Sequence, residues 1–157
     1  QSPVRIKIAA ASNLKFVLAD LTSQYKQQTG VQVDVNLGAS GNLARQILQG
    51  LPVAQFISAD EAWVAELAKA GRTVDAGQRY ATGRLALVVP KNSALPLAQG
   101  LAAVVQVLPL PADLHAPLHQ RMVLLKGADA AAADWQRFLL SPPAQAVWVR
   151  HGYALPQ

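Results

Sequence analysis

No cysteine occurs among the 157 residues, which excludes disulfides, thiolate zinc sites and cysteine nucleophiles. Nor does any apolar run approach the roughly 20 residues that a membrane-spanning helix needs. The longest, residues 85–90 and 101–105, are strand-sized. Aromatic residues are sparse, three each of Phe, Tyr and Trp, and the Lys and Arg residues are scattered singly from Arg5 to Arg150. Nucleic-acid-binding faces cluster basic and aromatic side chains, so the net charge of +5 supports a general attraction for anions and no nucleic-acid partner. With 15% charged and 52% hydrophobic residues the chain can fill a core and is not of disordered composition. Its length suits one ordinary domain and not two.

What is present is a βα rhythm. Val4, Ile6 and Ile8 alternate with Arg5 and Lys7, the period of a strand. Leu14, Val17, Leu18, Leu21 and Tyr25 then recur at helical spacing, with Gly30 where a helix C-cap belongs and Ser12 or Asn13 as the expected N-cap. A second strand over Val31, Val33 and Val35 leads to Gly38-Ala39-Ser40-Gly41-Asn42 and a short helix with Leu43, Ile47 and Leu48. Phe56-Ile57 reads as a buried strand, and Ser58 or Asp60 caps a helix carrying Trp63, Val64 and Leu67. Residues 85–89 form a continuous apolar strand. Beyond it the Pro-bearing stretch 91–112 reads as a linker with one strand near Val104 to Leu108, followed by a strand over 122–125. Two helices close the chain, over 129–140 and from Ser141-Pro142 to Gly152. The expected fold class is α/β, a mainly parallel sheet with helices on both faces.

In such sheets ligands bind beyond the carboxyl ends of the strands. Two ends are furnished alike: Ser12-Asn13 after the first strand and Ser40-Gly41-Asn42 after the second. Each sets a hydroxyl beside unpaired N–H groups at a helix start, where the dipole also favours an anion. Gly38 and Gly41 would let a ligand come close to the backbone. Serine is a preferred cap in any helix, so a purely local role stays open. Neither loop carries Lys, Arg, Asp or Glu. A site of neutral donors suits a fully deprotonated tetrahedral oxyanion such as molybdate, tungstate or sulfate, whereas a protonated phosphate also asks for an acceptor.

The same stretches resemble the periplasmic molybdate-binding proteins. The resemblance lies in Ala9-Ala10-Ala11-Ser12-Asn13-Leu14, in Ser40-Gly41-Asn42-Leu43-Ala44-Arg45-Gln46-Ile47 and, most specifically, in Phe56-Ile57-Ser58-Ala59-Asp60-Glu61-Ala62-Trp63. Gly83-Arg84-Leu85-Ala86-Leu87-Val88-Val89-Pro90, Ser141-Pro142-Pro143-Ala144-Gln145 and Arg150-His151-Gly152-Tyr153 continue it. It implies one lobe of a type II periplasmic binding protein that takes molybdate or tungstate, with no cofactor and no catalysis, for the membrane subunits of an ABC transporter. Ser12 and Ser40 would be the oxyanion ligands, with Asn13 and Gly41 in support. A periplasmic location follows, with a signal peptide removed ahead of Gln1.

One departure is large. The family inserts its second lobe after the strand that ends at Pro90, and here 22 residues separate Pro90 from Asp113, a loop's length. The expected organisation is one discontinuous lobe, 1–90 and 113–157, with 91–112 a shortened linker. A lobe without its counterpart holds an anion weakly, or serves as a non-binding scaffold, or forms a homodimer through the face left exposed. A serine hydrolase is the enzyme alternative, but G-x-S-x-G needs Gly where Asn42 stands. His115 and His119 are the sole zinc-like pair; Pro117 between them spoils a helical face, and with His151 they read as surface histidines.

Overall fold

Ile6, Ile8 and Ala10 point to one side of the first strand and Ala9 to the other, and all four are buried. The strand is therefore covered on both faces, which places it inside a sheet sandwiched between helices. The computed structural model describes residues 2–83, 86–90, 105–109 and 118–156. In chain order these form β1 (Arg5–Ala11), a 3₁₀ turn (Ser12–Leu14), α1 (Lys15–Thr29), β2 (Gln32–Gly38), α2 (Ser40–Leu48), β3 (Gln55–Ser58) and α3 (Glu61–Lys69). β4 (Gln78–Gly83), β5 (Ala86–Pro90), β6 (Val105–Pro109), β7 (Leu118–Leu124), α4 (Ala130–Leu139) and α5 (Pro142–Arg150) follow. No helix among the described residues is long and apolar enough to cross a membrane.

Five strands share one sheet in the order β2-β1-β3-β7-β4. β1 runs parallel to both β2 and β3, as expected of βαβ units, while β7 enters antiparallel between β3 and β4. The sheet is thus mixed, with a parallel core. α1, α4 and α5 cover one face, where Leu18, Leu21, Trp135, Leu139 and Trp148 pack on Ile8, Ile57 and Met122. α2 and α3 cover the other, with Leu43, Ile47, Val64 and Leu67 against Ala9, Phe56 and Val123. Each large side chain withdrawn from water here contributes roughly 1.5–3 kcal/mol. Polar side chains are buried with them as well, and Gln55 accepts from Trp135 Nε1 at 2.9 Å and donates to Gln136 Oε1 at 3.0 Å, tying β3 to α4.

The chain divides into two compact units, Gln1–Thr82 with His119–Gln157, and Gly83–Leu118. In the second, β5 pairs antiparallel with β6 in a separate two-stranded sheet, from Ala86 opposite Pro109 to Pro90 opposite Val105. The apolar strand Ala86–Pro90 therefore does not extend the parallel sheet. Its neighbour is the expected strand of the Pro-bearing stretch. Residues 91–104 and 110–117, which hold most of the expected linker and His115, lie outside the described residues.

β4 is not among the expected strands: it carries no clear alternation, since only Tyr80 and Ala81 are buried in it. Two local expectations are corrected. β7 begins four residues ahead of the expected strand, so His119 is a half-buried strand residue, not a surface loop residue. Neither Ser12 nor Asn13 caps α1: both lie in the 3₁₀ turn, Leu14 holds the cap position, and no side chain caps it. Asp60 does cap α3, accepting from Ala62 N–H at 2.9 Å.

Candidate functional site

Pairing register decides what the two furnished strand ends share. Ala11 of β1 stands opposite Gly38 of β2, and Ala10 stands opposite Ile57 of β3. Three parallel strands therefore end level with one another, and the next residues, Ser12-Asn13, Ala39-Ser40 and Ala59-Asp60, leave the sheet along one edge. Ser12 and Asn13 are exposed, Ser40 and Gly41 half-buried. All four residues expected in the site lie at this edge.

Ser40 is the first residue of α2, not its cap; Ala39 holds that position without a side-chain bond. Its Oγ instead accepts from the Ala59 N–H at 3.0 Å. That occupies one lone pair and leaves the hydroxyl hydrogen available to donate. Leu43 N–H already returns to Ala39 O. The N–H groups of Ser40, Gly41 and Asn42 make no hydrogen bond among the described residues. No acidic side chain occupies the first turn of α1 or α2, so the positive end of each dipole is uncompensated. Ser12 Oγ likewise makes no bond among the described residues, whereas the Asn13 carbonyl accepts from Tyr153 Oη at 2.9 Å. Burial raises the Tyr153 phenol above its ordinary value.

The glycines make room for side chains. A Cβ on Gly41 would stand 2.8 Å from Trp63 Cζ2, and one on Gly38 would stand 3.2 Å from Leu43 Cδ2. Neither has a positive φ. The space at Gly41 is filled by the indole of α3, a packing demand with no signal in the local sequence. The supporting groups that sequence reasoning missed, Ala59 N–H and Tyr153 Oη, are equally non-local: 19 and 140 residues from their partners.

Beside this edge α3 opens on an ion-pair cluster. Glu61 accepts from Arg79 Nε and Nη2 at 3.0 and 3.1 Å and from Arg121 Nη2 at 3.2 Å. Arg79 first, then Arg121, holds the Glu61 carboxyl below its ordinary value. Both arginines are engaged, Arg121 also by the carbonyls of Ala76 and Gly77, so the cluster is a brace. No group of three His, Cys, Asp or Glu residues among those described could hold a metal ion.

Three parallel strands thus end level at one edge, with no acidic or basic residue at the end of β1 or β2. The chain belongs to the family of bacterial extracellular solute-binding proteins, whose model matches residues 6–108 and 94–154. It is similar to the molybdate-binding protein ModA of Escherichia coli (strain K12), with 35% identity over 91 residues, 57% of this chain and 35% of that protein. The match thus spans about a third of the relative's length. Among solved structures, a Clostridium difficile substrate-binding domain assigned to a molybdenum ABC transporter aligns with TM-score 0.85 and 20% identity over 98% of this chain and 100% of that one. The periplasmic molybdate-binding protein of Azotobacter vinelandii aligns with TM-score 0.81 and 21% identity, over 97% and 100%. The fold is that of a periplasmic binding protein lobe.

Proposed function

We propose that the chain captures a small inorganic oxyanion, molybdate or tungstate, at the common edge of β1 and β2, as the solute-binding component of an ABC importer in the periplasm. Ser12 and Ser40 are the hydroxyl donors; Asn13 and Gly41 support them, Gly41 through its N–H. The observation that carries this reading is the level ending of β1 and β2, with the Ser40 hydroxyl held by Ala59 N–H so that its hydrogen remains to donate. The similarity to molybdate-binding relatives agrees with it. No cofactor enters this reading and no chemistry is done on the ligand. A hydrolase would need a base on Ser40, and its partner among the described residues is an amide.

A 91-residue match that makes up 35% of the relative puts that protein near 260 residues, far longer than this chain. We read residues 91–112 as standing where a second lobe is inserted in the relatives, between segments 1–90 and 113–157 of one lobe. An anion held by one lobe stays half solvated, where its hydrogen bonds compete with water. Binding near 1 mM, about −4 kcal/mol, is the expected strength. Calorimetry with molybdate, tungstate and sulfate tests this on the native chain and on Ser12→Ala/Ser40→Ala. Micromolar binding that survives both substitutions refutes the assignment.

One observation favours a second reading, in which the uncovered face self-associates. Phe16, in the first turn of α1 just past the Ser12–Leu14 turn, is 72% exposed. A homodimer would cover it. Sedimentation velocity showing a monomer at high concentration removes this reading.

A further inference from the structure

Asn13 lies in the turn after β1 and Ser40 opens α2, yet both are tied to one stack of aromatic rings. Tyr153 donates from Oη to the Asn13 carbonyl at 2.9 Å. Its ring meets Trp148 edge-on, centroids 5.3 Å apart and planes at 86°. Trp148 is 1% exposed, donates from Nε1 to Leu139 O at 3.0 Å, and lies 5.0 Å from the Tyr80 ring. Tyr80 donates to Ser58 O at 2.9 Å, and the next residue, Ala59, gives its N–H to Ser40 Oγ. The route from one loop to the other is continuous: Asn13, Tyr153, Trp148, Tyr80, Ser58, Ala59, Ser40.

We propose that Tyr153 is a positioning residue for the oxyanion site, a strut that fixes the Ser12–Asn13 turn and, through the Trp148–Tyr80 stack, sets its spacing to Ser40. This rests on the site reading given above. The backbone of Tyr153 is itself anchored on both sides. Its N–H bonds Trp148 O at 3.1 Å, and the next residue, Ala154, accepts from Thr82 N–H at 2.9 Å on β4. A phenol so mounted has one hydroxyl direction, and that hydroxyl is spent on Asn13, so Tyr153 holds the turn and is not a ligand. Uncharged donors reward only correct placement, because a misdirected hydroxyl is satisfied equally well by water. A rigid strut therefore matters more here than at a charged site.

Tyr153→Phe keeps the ring and removes the strut. Thr29→Val is the control, since it deletes two hydrogen bonds, to Tyr25 O and from Val31 N–H, at the far end of α1. Molybdate affinity by calorimetry and amide hydrogen exchange at Ser12, Asn13 and Leu14 are measured for the native chain and both variants. The expected result is a three- to tenfold loss of affinity, on the order of one hydrogen bond, with faster exchange in the turn for Tyr153→Phe and neither change for Thr29→Val. Native affinity in Tyr153→Phe, or an equal loss in Thr29→Val, overturns the proposal. Should the native chain bind no oxyanion, the functional reading falls and the strut is judged by exchange alone. Protection of the turn unchanged in Tyr153→Phe then overturns it as well.

Discussion

Replacing Gly41 by alanine sets two effects of known size against each other. The added methyl would lie 2.8 Å from Trp63 Cζ2, 3.1 Å from Cε2 and 3.3 Å from Cη2. Carbon atoms rest at about 3.5–4.0 Å, so the indole or the start of α2 must give by about 0.7 Å or more. The ring is half-buried and has some freedom to tilt, though Arg45 lies over its face, 5.9 Å from the centroid. Overpacking of this kind costs about 1–3 kcal/mol, against which alanine regains roughly 0.5–1 kcal/mol over glycine in a helix. The net expectation is a loss of about 1–2 kcal/mol, or about 2–8 °C in Tm for a chain of this size. In a Trp63→Leu background the clashing atoms are gone, and the same change should be neutral or stabilise by about 0.5–1 kcal/mol. Urea unfolding of the four proteins, followed by far-ultraviolet circular dichroism so that the lost tryptophan does not matter, yields the coupling energy. Gly41→Ala having one effect in both backgrounds refutes the packing argument.

Gly77→Ala should be far worse. Its φ of +77° disfavours a side chain, and a Cβ would stand 2.4 Å from the Met122 carbonyl of the inner strand β7, which cannot yield. A loss of about 3 kcal/mol or more is expected, against about 1 kcal/mol for Gly71→Ala, where φ is similar but only Lys126 Nζ at 3.9 Å is near. Equal thermal shifts for the two variants contradict the clash. The three tyrosines, Tyr25, Tyr80 and Tyr153, all have phenols raised above 10.0 chiefly by burial, Tyr80 most. Their contribution is complete below pH 10 and is lost as pH climbs through the raised values. Tyrosinate absorbance should appear late and together with unfolding; early reversible ionisation of Tyr80 in the folded protein contradicts this. Glu61 behaves in the opposite sense. Its carboxyl is held below 4.5, so the brace contributes above that pH and fades as the medium falls through the lowered value. With the carboxylate a third exposed, the advantage over Glu61→Gln is about 0.5–1 kcal/mol at neutral pH, vanishing in acid. A difference that does not shrink with pH refutes the pairing.

What could be read in advance was what is local. Alternation in β1, the helical spacing from Leu14 to Tyr25 and the Gly30 stop are each decided within a few residues, and all three are present. Consecutive burial of Tyr80 and Ala81 left β4 without a period to detect. The insertion of β7 and the pairing of β5 with β6 depend on partners about 20 to 65 residues away, which no local pattern encodes. At the site, the residue types and their following helices were legible because strand ends and helix starts announce themselves. The registry of Ala11 with Gly38, the Ala59 bond to Ser40, the Trp63 ring over Gly41 and the reach of Tyr153 to Asn13 come only from tertiary packing.

The late arrival of β7 also orders events on the ribosome. Residues 1–83 emerge with β1, β2 and β3 ready to pair, yet the neighbour that separates β3 from β4 is made only after residue 118. Until then β3 presents a bare row of amides and carbonyls, and Phe56 and Ile57 lack Val123, Met122 and Trp135 to cover them. Nascent chains of this kind cannot close residue by residue as they are synthesised. The edge of β3 stays open until β7, in the last quarter of the chain, is available to pair with it.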